Sequence, residues 1–414
     1  MVFNKDSATK RLKNLLVSFD SRNYRLYFAG QSLSLIGTWM QNIAMSWLVY
    51  RITGSVFLLG VVGFANQIPS FFFSPIAGVI SDNYNRRRIM IWTQVLFMVQ
   101  ALLFAGLTYF GLIEVWHIIV LSLLFGFITV FDTPARQALV VELVSDRENL
   151  GNAIALNSAM FNGARLIGPG IAGMVIAYTG EAVCFLINAA SFSVIIIALF
   201  QIKAGHRIVR TGKSELFNDL KSGYRYTFGS PSIKFLIIVL SIISLMGLPF
   251  FVLLPAYARE VLQGDSKTLG FLMSSAGVGA LLAALFLASR SGTRGLPKII
   301  SITLLLFGAS IIGLSVFHNS LAAYILMFFS GFGMVAAIAG INTLIQFIIS
   351  DEMRGRVMGF YAIALMGMNP VGSFLAGTSA STIGLQYTLF IGGLICLLTG
   401  FYFGGNRKIL KQWA

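Results

Sequence analysis

Apolar runs about twenty residues long recur twelve times along this chain of 414 residues, and that recurrence constrains the fold more than any other feature. At about 1.5 Å of rise per residue, a helix of that length crosses a hydrocarbon layer about 30 Å thick. Inside such a layer each backbone amide must find its partner within its own segment, so the runs predict an all-α membrane protein. The spans are placed at 26–50, 55–80, 89–113, 116–141, 148–178, 182–202, 235–258, 268–289, 298–317, 320–349, 355–382 and 386–404. Only 11% of residues are charged, against about 25% in soluble domains, too few to coat a water-facing surface.

The formal charge of +15 raises the question of a nucleic-acid partner, and the placement of the basic residues answers it. With twelve spans and both termini inside, only Arg51, Arg259 and Lys267 fall on the outer side, and only Arg165 falls within a span. The rest sit in cytoplasmic segments or at cytoplasmic span ends, which is the positive-inside pattern and not one basic face for nucleic acid. Cys184 and Cys396 both lie in spans and read as small apolar core residues, so neither a disulfide framework nor a metal cluster is expected. The N-terminal segment carries Lys5, Lys10, Arg11 and Lys13 and leads into a span too long for a signal-peptide core, so the first helix is expected to stay in the protein.

The longest polar interval divides the chain into 1–202, a linker at 203–234 and 235–414, with six spans on either side. Seven Lys and Arg in the linker make it cytoplasmic. Within it Leu216, Phe217, Leu220 and Tyr224 recur at helical spacing beside Lys221 and Arg225, as in a helix lying on a membrane surface; a solvated linker is the plainer reading. The halves also resemble each other. At an offset of 205, Phe125-Gly126-Phe127 meets Ser330-Gly331-Phe332 and Ser145-Asp146 meets Ser350-Asp351. After a one-residue gap Gly168 meets Gly372 and Ala172-Gly173 meets Ala376-Gly377, the residue of an internal duplication.

Between the second and third spans stands Gly78-Val79-Ile80-Ser81-Asp82-Asn83-Tyr84-Asn85-Arg86-Arg87-Arg88. Glycine permits close helix approach, a carboxylate can accept amides at a helix N-terminus, and arginines can tie helix ends together. The fifth span contains Asn162-Gly163-Ala164-Arg165-Leu166-Ile167-Gly168-Pro169-Gly170-Ile171-Ala172-Gly173, in which small residues allow tight packing and Pro169 permits bending. A third stretch runs from Asp132-Thr133-Pro134-Ala135-Arg136-Gln137-Ala138 through Glu142-Leu143-Val144 to Asn157-Ser158. Together these motifs resemble the major facilitator superfamily, and within it the enterobactin-exporter-like branch, over essentially the whole chain.

That resemblance implies a major facilitator fold of twelve transmembrane helices in two pseudo-symmetric six-helix halves. It further implies a monomer in the bacterial cytoplasmic (inner) membrane, with an inner-gate latch at Gly78, Asp82, Arg86 and Arg87. The loop departs from the family pattern at Asn83, where a basic residue is usual, and at Asn85, where glycine is usual. The fifth-span motif, with Gly168, Pro169 and Gly173 as hinge and packing residues, is linked in the family to export.

Charges inside a bilayer are costly enough to be functional candidates. Arg165 lies near the middle of its span. The offset of 205 sets Asp132 and Arg136 against Ala337 and Ile341 of an unbroken apolar span, so the fourth helix is expected to continue past Asp132. Asp132 and Arg136 then form an i,i+4 pair, and Arg165 is an alternative partner for Asp132. Asp132 is either a proton carrier with Arg165 as the competing charge or one member of a permanent ion pair. Gln31, Ser34, Thr38 and Asn42 (with Gln41) form a polar stripe on the first helix, and Ser158, Asn162 and Arg165 form one on the fifth. Such stripes face the bundle interior, lining a cavity or bonding across helices. The resemblance implies a substrate surface. Trp39, Trp47 and Phe71-Phe72-Phe73 read first as packing residues and second as faces for a planar ligand.

An enzyme is not expected. Gly212-Lys213-Ser214 lacks the required glycine five positions before Gly212, where Arg207 stands, and His117, His206 and His318 are scattered. No cofactor and no metal are expected. The expected function is secondary export of a small amphipathic molecule, a siderophore or a drug-like compound, by alternating access driven by protons. Arg165 favours an anionic substrate, because no unpaired acid awaits a cation. Metabolite uptake and lipid flipping are the alternatives.

Overall fold

The computed structural model describes residues 17–144, 149–202, 216–290 and 292–413; the side chains of Pro75, Val79, Asp82, residues 216–220 and residues 411–413 are not among those described. Six long helices come first: α1 (Arg22–Thr53), α2 (Val56–Asn83), α3 (Arg86–Tyr109), α4 (Val115–Leu143), α5 (Leu150–Thr179) and α6 (Glu181–Gln201). A short helix α7 (Leu216–Gly229) follows. Six more complete the bundle: α8 (Pro231–Val261), α9 (Ser266–Ala288), α10 (Leu296–Val316), α11 (Ser320–Ile348), α12 (Asp351–Ile383) and α13 (Leu385–Asn406). Among the described residues eleven helices are long and apolar enough to cross a bilayer. The twelfth, α1, has 32 residues and ample length, but its polar stripe keeps it out of that set.

Local chemistry sets the helix ends. Ser21, Ser55 and Asn85 cap α1, α2 and α3 by accepting from Tyr24, Leu58 and Arg88 amides. Gly54 closes α1 in the left-handed region at φ 60°, a conformation that side chains with Cβ resist. Three π turns interrupt the second half, at Ile243–Gly247, Tyr257–Val261 and Ile363–Gly367. Each lies within three residues of a proline, Pro249, Pro255 or Pro370, where a missing backbone donor already breaks the regular ladder.

The duplication is visible in three dimensions. Helix α11 begins and ends 205 positions after α4, Ser320–Ile348 against Val115–Leu143. The α-helical part of α12 begins at Arg354, 204 positions after Leu150 of α5, which is the one-residue gap of the sequence. Packing repeats with it. A Cβ on Gly126 of α4 would lie 2.1 Å from the Asn66 carbonyl oxygen of α2, and one on Gly331 of α11 would lie 2.0 Å from the Ala276 carbonyl oxygen of α9. The chain is therefore an all-α membrane protein with two pseudo-symmetric six-helix halves. The Ser145-Asp146 member of the sequence repeat lies outside the described residues.

Candidate functional site at the seam between the halves

Two antiparallel helix pairs join the halves, α2 with α12 and α5 with α9. Each crosses at a pair of glycines. A Cβ on Gly377 would stand 2.8 Å from Gly60 Cα, and one on Gly173 would stand 3.1 Å from Gly270 Cα. At such separations the backbones touch, as small-residue interfaces in lipid allow. Gly173 therefore sits where the two halves meet, whereas Gly168 packs within the first half, its Cβ position 2.6 Å from that of Trp39 on α1. Pro169 is buried between them.

Polar contacts extend these crossings from mid-bilayer toward the end of the bundle away from both chain termini. Ser266 Oγ donates to the Gly173 carbonyl at 3.0 Å, and Ser274 Oγ donates to the Leu166 carbonyl at 2.9 Å. Asn369 Nδ2 donates to Gln67 Oε1 at 2.6 Å. At the far end Tyr50 Oη donates to Glu260 Oε1, and Lys267 Nζ lies 4.3 Å from the centre of the Tyr178 ring. Toward the terminus-bearing end the glycines tell a different story. Gly78 on α2, Gly151 and Gly163 on α5, and Gly355 and Gly359 on α12 all meet open space. Gly78 was expected to allow a close helix approach; among the described residues nothing stands within 4 Å of a Cβ placed on it, and the seam tightens from Phe71 and Gly367 toward the far end.

Arg86 and Arg87, two of the residues expected to form the latch, bond inside the first half. Arg86 Nη1 pairs with Glu142 Oε1 at 2.6 Å, binding the start of α3 to the end of α4. Arg87 donates to the Leu199 and Phe200 carbonyls at 2.6 and 2.9 Å, binding α3 to the open C-terminal end of α6. Asp82 lies in the last turn of α2, and its side chain is outside those described.

Asp132 lies within α4, as the repeat required, and is buried at 5% exposure. Its Oδ1 accepts from Thr93 Oγ1 at 2.9 Å and Gln94 Nε2 at 2.8 Å, and Arg136 Nε stands 3.6 Å from its Oδ2. The pairing with Arg136 is present; the alternative pairing with Arg165 is not. Arg165 instead lies 5.8 Å from the Trp39 ring centre and 5.7 Å from that of Phe251 on α8. Among the described residues it makes no ion pair and no hydrogen bond.

The first-helix stripe divides between two neighbours. Gln31 and Ser34 are buried, and Ser34 Oγ donates to Gln94 Oε1 at 3.4 Å. Gln41 is buried too and joins Gln100 and Asn188, each at 2.8 Å. Ser34 and Gln41 bond inside the first half and so pack there, while Gln31, equally buried, has no hydrogen-bond partner for its Oε1 among the described residues. Thr38 and Asn42 are partly buried on the neighbouring arc, where Trp39 meets Phe161 edge-on at 6.2 Å. Ser158 is exposed, and Asn162 caps its own turn through the Ser158 carbonyl at 2.9 Å. The sequence reading missed Thr93, Gln94, Gln100 and Asn188, as well as Gln67 and Asn369. Thr93, Gln94 and Gln100 share α3, with Thr93 and Gln100 seven residues apart on one face, a spacing that could have been read; Gln67, Asn188 and Asn369 are marked only by their cost in lipid.

The sequence profile of the transmembrane secretion effector family matches residues 15–411. The chain is 29% identical over 393 residues to the staphyloferrin A transporter of Staphylococcus aureus, covering 94% of this chain and 97% of that one. It is 26% identical over 377 residues to the multidrug efflux pump Tap of Mycolicibacterium fortuitum, covering 88% and 90%. In fold it matches the crystal structure of a bacterial homologue of the human lysosomal transporter Spinster, with a TM-score of 0.73 at 13% identity over 95% of this chain and 98% of that one.

Proposed function

This chain belongs to the transmembrane secretion effector family of the major facilitator superfamily, and from that premise we propose that it exports a small amphipathic molecule, of siderophore or drug-like type, by alternating access. The names of its relatives, a siderophore transporter and a multidrug efflux pump, support that substrate range. The observation that carries the mechanism is the contrast along the seam. Glycines are in backbone contact from the middle to the far end, and glycines on the same helix faces meet open space toward the terminus end. Gly78 and Gly359 continue the antiparallel register of Gly60 with Gly377, and they form the next crossing when the halves rock the other way. Parallel six-helix repeats around a central site support such rocking.

The terminus-bearing end is cytoplasmic, supported by the concentration of Lys and Arg there and by the three cations at the opposite end. The chain then works as a monomer in a bacterial inner membrane, in a state open to the cytoplasm. The driving ion is the proton, with Asp132 as its site. Its carboxylate is buried among two neutral donors and one cation held beyond hydrogen-bond distance, so that protonation loosens α4 from α3.

Purified protein in liposomes, assayed with and without an imposed pH gradient, tests the reading, together with cells lacking the gene compared for what they retain under iron limitation. Outward, gradient-dependent movement of retained compounds supports it. Accumulation that falls in the knockout points to uptake, and movement of labelled phospholipid between leaflets points to a flippase; either overturns it.

A further inference from the structure

The two seams are pseudo-symmetric in their glycines and unlike in one station. The register that sets Gly60 with Gly270 and Gly377 with Gly173 places Asn369 of α12 at the station of Arg165 on α5, and Gln67 of α2 at that of Gly277 on α9. On the α2–α12 side the two amides bond across the seam at 2.6 Å. On the α5–α9 side Gly277 offers no side chain, and a Cβ there would stand 2.7 Å from Leu166 Cα. The helices are therefore too close for a partner to be supplied from position 277, and among the described residues the guanidinium opposite makes no ion pair and no hydrogen bond.

The carboxylates that could have served it are engaged elsewhere. Asp132 holds Thr93, Gln94 and Arg136; Glu142 holds Arg86; Glu181 holds Arg51; Glu260 holds Tyr50. What surrounds Arg165 is aromatic: Trp39 from the first half and Phe251 from the second, with Phe161 against Trp39. Ring faces hold a cation but leave its in-plane N–H donors unfilled, and a planar fork of donors matches a carboxylate or phosphate edge. The residue lies where the tight part of the seam ends, with Gly163 and Ser158 on the terminus side open or exposed.

We propose that Arg165 is the anion-recognition residue of the transport site, which takes an organic anion whose negative group meets the guanidinium and whose flat apolar frame lies against Trp39, Phe161 and Phe251. This rests on the exporter reading and narrows it to substrates of negative charge. Because Phe251 belongs to the opposite half, rocking the halves separates it from Arg165 and dismantles the site, which releases the anion.

Two dyes on one xanthene frame, carboxyfluorescein (anionic) and rhodamine 123 (cationic), serve as probes. Their binding to the detergent-purified full chain is measured by fluorescence anisotropy for wild type, Arg165→Gln and Arg165→Lys, each checked for a monodisperse elution profile. Carboxyfluorescein binding is expected to weaken about tenfold or more in Arg165→Gln and to survive in part in Arg165→Lys, while rhodamine 123 binding holds or tightens in Arg165→Gln. Unchanged carboxyfluorescein binding in Arg165→Gln, equal losses for both dyes, or no carboxyfluorescein binding by wild type overturns the assignment. If Arg165→Gln does not fold, Arg165→Lys alone decides, by whether it weakens the anionic dye selectively. Efflux of both dyes from liposomes is read in parallel. Failure of both to cross with wild type counts against export, whereas binding selective for Arg165 stands or falls separately.

Discussion

Asp132 shows how far one residue can be read before its neighbours are known. The i,i+4 spacing to Arg136 was legible, and so was its place inside a helix, because the repeat set it against an apolar span. Thr93 and Gln94 were not legible as its partners, since they come from another helix and nothing in the sequence says which helix α4 packs against. Asp132→Asn keeps a group that can accept from both, so it is expected to fold, to retain downhill exchange of substrate and to lose transport driven by a pH gradient; undiminished coupling in liposomes would assign Asp132 to a permanent ion pair. The pair Arg86–Glu142, with side chains 15% and 17% exposed, is shielded enough to be measurable. Arg86→Gln and Glu142→Gln should each cost about 1–3 kcal/mol in unfolding free energy. The double variant should cost less than the sum of the two single losses, because the partners share one interaction; additive losses in a thermal-unfolding cycle would show that they do not.

Helices were the most legible level, since length and apolarity in lipid leave little choice, and the observed ends fall within a few residues of those expected. Rotation about the helix axis was less so. Polar residues at three- to four-residue spacing on α1 looked like one stripe, yet Ser34 and Gln41 turn to α3 and α6 while Thr38 and Asn42 are only partly buried. One arc wide enough to touch two neighbours cannot be divided from spacing alone. The π turns were invisible as well, because an extra residue in a turn leaves no compositional mark; only the nearby prolines hint at it. Close approach between elements yields a paired prediction. Gly126→Ala and Gly331→Ala each push a methyl to about 2 Å from a carbonyl oxygen on the facing helix, and each should destabilise the protein by about 1–3 kcal/mol or more in detergent melts. Gly78→Leu meets open space, so it should leave the melting temperature nearly unchanged while reducing turnover, because it obstructs the crossing with Gly359. A melting temperature lowered as far as in Gly126→Ala would mean that Gly78 is already packed.

For the whole molecule, the duplication was the informative signal. The offset of 205 and its one-residue slip reappear in the boundaries of α4 and α11, in the starts of α5 and α12, and in the Gly126–Gly331 and Gly173–Gly377 matches, so the two halves could be anticipated. The asymmetry between the seams could not. It depends on which side chains end up opposite one another, Gln67 with Asn369 and Gly277 with Arg165, and that follows from tertiary register. The short helix α7 is placed by contact with α12, where Gly223 lies against Arg356 and the Tyr224 and Phe228 rings lie against Phe360. It thus packs on the second half, at the end where Gly355 and Gly359 meet open space.

Alternating access about the glycine crossings is tested most directly by distances. Spin labels at Gly78 and Gly359 report the terminus end, and labels at Phe57 and Ser381 report the far end, each pair read by double electron–electron resonance in lipid nanodiscs across a pH series with and without carboxyfluorescein. A second, shorter distance for the first pair should rise in population together with a longer distance for the second. One fixed distance for both pairs under every condition, in protein that still transports, would contradict rocking at this seam.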